Sequence, residues 1–124
     1  MSESRPRPGE PLRPLNRTFA AVLFVQTLDV VIHAASGMFE PLRVTANAML
    51  VVGAWMIFTS PAGARGVGAA NGFAFVVLNG VFVAVHGMTN PETGNLRVPL
   101  LLLVAGSLVA LWFHVRAALD AGEE

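Results

Sequence analysis

The sequence predicts an all-α integral membrane protein, a four-helix transmembrane bundle built from two tandem helical hairpins. Of its 124 residues, 54% are hydrophobic and only 13% are charged, which is unusual for a soluble domain. Four apolar stretches approach the roughly 20 residues that cross a bilayer core as a helix. Polar residues also recur in the two halves of the chain at an offset of about 53 residues, the pattern of an internal repeat.

The elements follow in order along the chain. Residues 1–16 form a tail rich in proline, arginine and glutamate, which buries too little apolar surface to fold and is predicted to be disordered. The transmembrane domain covers 17–118, with one hairpin at about 19–59 and the other at about 66–118. Its apolar stretches predict helices at 19–36, 44–59, 66–88 and 98–118, because a spanning segment must satisfy its own backbone. Residues 119–124 are a C-terminal tail.

The arginines predict the orientation in the cell (inner) membrane. All eight basic residues are arginine, and most lie before the first helix, in the turn after Pro61, or at the end of the fourth helix. Only Arg43 and Arg97 fall in the first and third loops. The positive-inside rule therefore places both termini in the cytoplasm.

The repeat pairs polar and small residues of the two hairpins. The pairs are Gln26 with Asn79, His33 with His86, Met38 with Met88, Arg43 with Arg97, and Gly53 with Gly106. A chain that repeats a hairpin in this way forms a pseudo-dimer, with an internal twofold axis along the membrane normal.

The polar side chains that could form a functional site are concentrated on the first and third helices. Gln26, Asp29 and His33 fall within an arc of about 60° on one helix face. Insertion of a central Asp into a membrane costs about 2.5 to 3.5 kcal/mol, so we expect Asp29 to face the bundle interior with His33 as its partner. His86 is predicted to lie at a similar depth on the third helix, which suggests a two-histidine site between helices 1 and 3.

The first hypothesis is a b-type haem with His33 and His86 as axial ligands. Small residues would leave room for the macrocycle and basic residues would bind its propionates; these are Gly72, Gly80, Arg43 and Arg97. This site predicts a small accessory or electron-transfer subunit of a membrane redox assembly.

The second hypothesis is copper or another transition metal. Asp29, His33 and His86 would be its ligands, and Met38 and Met88 would be soft additional donors of the kind that favours Cu(I).

The third hypothesis needs no cofactor. Gln26, Asp29, Asn47 and Asn79 would join the histidines in an interhelical hydrogen-bond network, whose bonds contribute about 0.6 kcal/mol each on average. This arrangement predicts a non-enzymatic assembly component, or a transport component with a path for protons or a small solute.

The composition of the chain and the motifs that it lacks argue against several classes of function. The chain has no cysteine and a formal net charge of zero, which argues against disulfides, iron–sulfur ligation and nucleic-acid partners. It also lacks a nucleophile paired with a base and a glycine-rich phosphate loop, so an independent enzyme is not expected. The expected partners are the lipid bilayer and other subunits of a membrane complex. His114, beside Trp112 and Arg116, is predicted to be an interfacial anchor.

Overall fold

The computed structural model describes residues 14–35, 40–91 and 93–122. In these ranges the chain forms four α-helices, which are α1 (Pro14–Ala35), α2 (Pro41–Thr59), α3 (Ala64–His86) and α4 (Val98–Gly122), with a 3₁₀ turn at Pro61–Gly63 between α2 and α3. Each α-helix is long and apolar enough to cross a membrane. The predicted all-α four-helix bundle is thus confirmed, and the four apolar helices indicate a multi-pass membrane protein.

Helix α2 begins earlier than predicted, at Pro41 instead of Val44. Glu40 is its N-cap, and the Glu40 carboxylate accepts a hydrogen bond from the backbone N–H of Leu42 at 3.4 Å. Proline is favoured at the first helical position because the N–H that it lacks has no partner there. As a result Arg43 lies in the first turn of α2 and not in a loop.

The first and last helices, α1 and α4, are also longer than predicted. Helix α1 begins at Pro14, so Leu15 and Asn16 are helical although the prediction placed them in the tail. Helix α4 continues to Gly122, through most of the predicted C-terminal tail. Residues 1–13, the rest of the predicted N-terminal tail, lie outside the described residues.

The loop between α3 and α4 is folded back on itself. Gly87 ends α3 with a φ of 85° and Gly94 has a φ of 70°, values that favour glycine because other residues carry a Cβ. The N–H of Arg97 donates to the Met88 carbonyl at 2.9 Å, and the N–H of Asn90 donates to the Asn95 carbonyl at 2.8 Å. These bonds hold Arg97 close to the end of α3.

Each hairpin packs mainly against the other. The largest interfaces join α2 to α3 and α1 to α4, the smaller ones join the two helices of each hairpin, and α1 and α3 lie on a diagonal without contact among the described residues. An internal twofold arrangement of two hairpins has this pattern of contacts.

The core is narrow, and its side chains are mostly aliphatic, with Phe75 as an aromatic member. Its buried apolar residues are Val22, Ala46, Leu50, Ala54, Ile57, Ala64, Phe75, Leu111 and Ala118. Many other large apolar side chains point outward, and Phe24, Phe73 and Leu102 are about two-thirds exposed or more. A surface of this kind is suited to contact with lipid hydrocarbon.

Candidate functional site

A column of buried polar side chains runs along the inside of the bundle. Every member is less than one-tenth exposed, and the members are Gln26, Asp29, Arg43, Asn47, Asn71, Asn79, Ser107 and His114. We call this set the polar column. Its upper end lies where α1 ends and α2 begins, and its lower end lies where α1 begins and α4 ends.

An ion pair between Asp29 and Arg43 forms the upper layer. Asp29 is fully buried, and its Oδ2 and Oδ1 accept hydrogen bonds from Arg43 Nη2 at 2.8 and 3.1 Å. Arg43 Nε donates to Asn79 Oδ1 at 3.2 Å, and Asn79 Nδ2 donates to the Phe75 carbonyl at 2.9 Å. One guanidinium group thereby connects α1, α2 and α3.

His33 completes this layer. Its Nδ1 lies 2.9 Å from Asp29 Oδ1, and its Nε2 contacts Arg43 Nη1. A neutral ring with its proton on Nδ1 satisfies both contacts, because Nδ1 then donates to the acid and Nε2 accepts from the guanidinium. The predictions that Asp29 faces the interior and pairs with His33 are confirmed. Arg43, which was expected in a loop, is the additional partner.

His86 has different surroundings. It is the last residue of α3, its side chain is 40% exposed, and its Nε2 lies 3.3 Å from Glu40 Oε2. Its ring also packs on Phe82, with 4.7 Å between centroids. In the repeat Phe82 corresponds to Asp29, so an aromatic ring precedes His86 where an acid precedes His33.

The other residues of the haem hypothesis are distributed around the bundle. A Cβ on Gly72 would touch Leu111 of α4 at 3.5 Å, whereas a Cβ on Gly80 would meet no atom within 4 Å. Arg97 donates from Nε to the Gly87 carbonyl at 3.0 Å and from Nη2 to the His86 carbonyl at 3.4 Å. The structure thus places Arg43 with His33, and Arg97 with His86. Haem binding stays a prediction.

The predicted metal ligands are also separated in the structure. Among the described residues, no group of three or more His, Cys, Asp or Glu side chains is placed to hold a metal ion. Asp29 and His33 lie together, His86 pairs with Glu40, and Met88 is 41% exposed. Met38 lies outside the described residues. Metal binding stays a prediction as well.

The middle layer contains amide and hydroxyl groups. Gln26 Nε2 donates to Ser107 Oγ at 2.8 Å, and Ser107 Oγ donates to the Leu103 carbonyl at 2.7 Å. The buried oxygens Gln26 Oε1 and Asn47 Oδ1 have no hydrogen-bond partner among the described residues. A buried acceptor without a partner costs about 1 to 3 kcal/mol, and a bound water molecule commonly supplies the missing bond.

The lower layer is built around His114. Its Nε2 donates to the Ala54 carbonyl at 2.9 Å, and its Nδ1 lies 2.8 Å from Thr18 Oγ1. The side chain is fully buried, so the prediction of an interfacial anchor is wrong. Sequence analysis also missed Ser107, although its spacing of seven from His114 puts both residues on one face of α4.

A cavity of about 710 Å³ adjoins the upper layer. Its polar lining includes His33, Arg43 and Arg97, and Phe82 forms part of its wall. Both guanidinium groups lie over the Phe82 ring, with Cζ at 5.9 Å for Arg43 and 5.4 Å for Arg97. The charged layer of the column is therefore open to a space at the end of the bundle.

Comparison of this chain with protein-family models, with curated proteins and with solved structures finds no match.

Proposed function

We propose that the protein is a non-enzymatic membrane transport component that passes protons or a small polar solute along the polar column. The observation that carries this proposal is the extent of the column. From Thr18, beside His114, to His33, beside Arg43, α1 advances fifteen residues. That is about 22 Å at 1.5 Å per residue, most of the roughly 30 Å of a bilayer core.

The middle layer favours a transport path over a hydrogen-bond network that only stabilises the bundle. A half-satisfied polar network is less stable than an apolar core of the same shape, and Gln26 and Asn47 each bury an oxygen without a protein partner. These two acceptors lie one turn from the ion pair, Gln26 before Asp29 and Asn47 after Arg43. Water or a hydrogen-bonding solute would satisfy both.

Both ends of the column support entry and exit. At the upper end His33 and Arg43 line the cavity, so the ion pair is not sealed by apolar residues. At the lower end Thr18 Oγ1 lies 3.1 Å from the Leu15 carbonyl, in the first turn of α1. Polar groups thus lie at both ends of the bundle and in its middle, and the buried apolar residues Val22 and Leu111 lie between the middle layer and the lower layer.

Flux through reconstituted protein tests the proposal. Liposomes that contain a pH-sensitive dye report proton entry after an imposed pH step, and light scattering after an osmotic step with glycerol or urea reports solute entry. Asn47→Leu should reduce the flux several-fold because it replaces a polar member of the column by an apolar group of similar volume. Met49→Leu is the matched control, since Met49 is on the same helix and 42% exposed. Equal rates for wild-type and empty liposomes in every assay would contradict the proposal.

An absorption spectrum separates this proposal from the redox hypothesis. A Soret band with sharp α and β bands after reduction, lost in His33→Ala and His86→Ala, would replace transport by haem-based electron transfer. Stoichiometric copper or zinc in the same sample, lost in these variants, would replace it by a metal site.

A further inference from the structure

We infer that the cavity beside the upper layer binds an amphipathic anion, a carboxylate or phosphate group carried on an apolar chain, with Arg97 as its main charged contact. The inference goes beyond the proposed function, because binding here requires no passage along the column. It names a ligand class that the polar column by itself does not indicate.

The charge of the cavity is the first argument. Two guanidinium groups, Arg43 and Arg97, face it, and its described lining contains no aspartate or glutamate. Asp29 neutralises Arg43 from the buried side, and Glu40 is turned toward His86. Among the described residues no carboxylate lies within ion-pair distance of Arg97. Counted over the described residues, the cavity therefore carries an excess positive charge, contributed by Arg97.

Arg97 is also held in position before any ligand arrives. Its Nε and Nη2 donate to the carbonyls of Gly87 and His86, and its Cζ lies 5.4 Å from the Phe82 ring centroid. A guanidinium group has five N–H donors, so these two bonds leave others available for an oxyanion. A side chain that is fixed in advance loses less conformational entropy on binding.

The start of α4 adds to this positive potential. Val98 and Leu100 in its first turn line the cavity, and the dipole at the start of a helix attracts negative charge. The Val98 N–H already donates to the Leu96 carbonyl at 2.8 Å and Pro99 has no N–H, so this contribution comes from the helix dipole and not from these two residues' N–H groups. The arginines and the helix start together form one anion-binding end of the cavity.

Besides the groups named so far, the lining contains the polar loop residues Asn90, Thr93 and Asn95, and the rest of it is an apolar wall. It includes Ile32, Leu96, Val98, Pro99, Leu100 and Leu103. Polar groups at one end and apolar groups along the rest match a ligand with a charged head and a hydrocarbon chain. The volume of about 710 Å³ is within the range of about 300 to 1,000 Å³ that is usual for small-molecule sites. Such a ligand has two sources, an anionic phospholipid of the bilayer or a free anionic amphiphile.

Binding to the purified full-length protein in nanodiscs of neutral lipid tests the inference. The probes are decyl phosphate and decanoate, with decanol and decyltrimethylammonium as uncharged and cationic analogues of the same chain length. We expect saturable binding of the two anions alone. Equal binding of decanol would overturn the inference without the use of any variant.

Substitutions of arginine test whether Arg97 is the charged group that binds the anion. Arg97→Gln should weaken anion binding about tenfold or more, as expected for the loss of a charged hydrogen bond, whereas Arg97→Lys should retain most of it. Arg116→Gln is the matched control, since Arg116 lies on α4 over Trp112 at 5.5 Å and outside the cavity lining. Equal affinities for Arg97→Gln and Arg116→Gln would overturn the inference.

A change of nanodisc lipid distinguishes the two sources. If phosphatidylglycerol in the nanodisc abolishes binding of decyl phosphate, the site takes a lipid headgroup; if binding persists, it takes a free amphiphile. Asn47 is outside the cavity lining, so Asn47→Leu should reduce proton or solute flux and leave the binding of decyl phosphate unchanged. Failure of anion binding is thus distinguishable from failure of the proposed transport.

Discussion

Asp29 neutralises the positive charge of Arg43 inside the bundle, because its carboxylate forms an ion pair with that guanidinium group. Asp29→Asn should destabilise the protein by about 3 to 5 kcal/mol, since it leaves a buried guanidinium without a counter-charge. Equilibrium unfolding in mixed micelles measures this change. Glu40→Gln is the control at the same end of the bundle; its side chain is 22% exposed, and we expect a cost of about 1 kcal/mol or less. Similar losses of unfolding free energy for both variants would contradict the role of Asp29 as the counter-charge of Arg43.

Residue spacing predicted part of this cluster. Asp29 and His33 are four residues apart on one helix, so their contact follows from helical geometry. Arg43 was placed in a loop because the apolar run begins at Val44. The signal that could have corrected this is Glu40-Pro41, an N-cap followed by a proline at the first helical position. Side-chain partners across helices, such as Arg43 with Asn79, depend on packing that one sequence does not contain.

At the scale of the helix, α2 and α3 approach closely at Gly53. A Cβ at this position would collide with the Asn71 side chain, which donates to the Leu50 carbonyl at 3.3 Å. Gly53→Ala should therefore cost about 1 to 3 kcal/mol, as expected for overpacking. The same unfolding measurement applied to Gly80→Ala provides the control, because a Cβ there meets no atom within 4 Å. We expect no loss, and a gain of up to about 1 kcal/mol. Equal effects would show that Gly53 is not a contact point.

Element boundaries were predicted well where hydropathy changes sharply and poorly elsewhere. Helix α4 starts at Val98 as predicted, since the polar third loop ends there. Its lower end was predicted at Ala118, where the apolar stretch ends, although the helix continues to Gly122. The burial of His114 follows from its contacts with Thr18 and Ala54 on two other helices, and hydropathy carries no information about such contacts.

At the scale of the whole molecule, four spans require both termini to lie on the same side of the membrane. Arg17, Arg65 and Arg116 are at the lower end of the bundle, with Arg5, Arg7 and Arg13 before them in the sequence. We therefore predict that the lower end faces the cytoplasm. Fusions of a fluorescent reporter and of a periplasmic phosphatase to each terminus test this. Fluorescence without phosphatase activity at both ends is expected, and opposite results at the two ends would contradict four spans.

The internal repeat predicted the overall arrangement better than it predicted the site. The two hairpins pack as a twofold pair, yet the acid at Asp29 corresponds to Phe82 in the second copy. This single difference gives His33 an acidic neighbour on its own helix and His86 an aromatic one, while the carboxylate beside His86 is that of Glu40, at the start of α2. A symmetric two-histidine site was the natural prediction from the repeated residues. The asymmetry follows from the position of Arg43, which lies between Asp29 and Asn79.

If the polar column serves transport, its two buried acceptors without a partner among the described residues, on Gln26 and Asn47, are needed for flux and not for stability. The most direct measurement compares flux and unfolding free energy for the double variant Gln26→Met/Asn47→Leu, which replaces the two unpaired buried acceptors by apolar groups of similar volume. We predict unchanged or increased stability, because removal of unsatisfied polar groups is favourable, together with loss of proton or solute flux in liposomes. A variant that is less stable but retains wild-type flux would contradict the account.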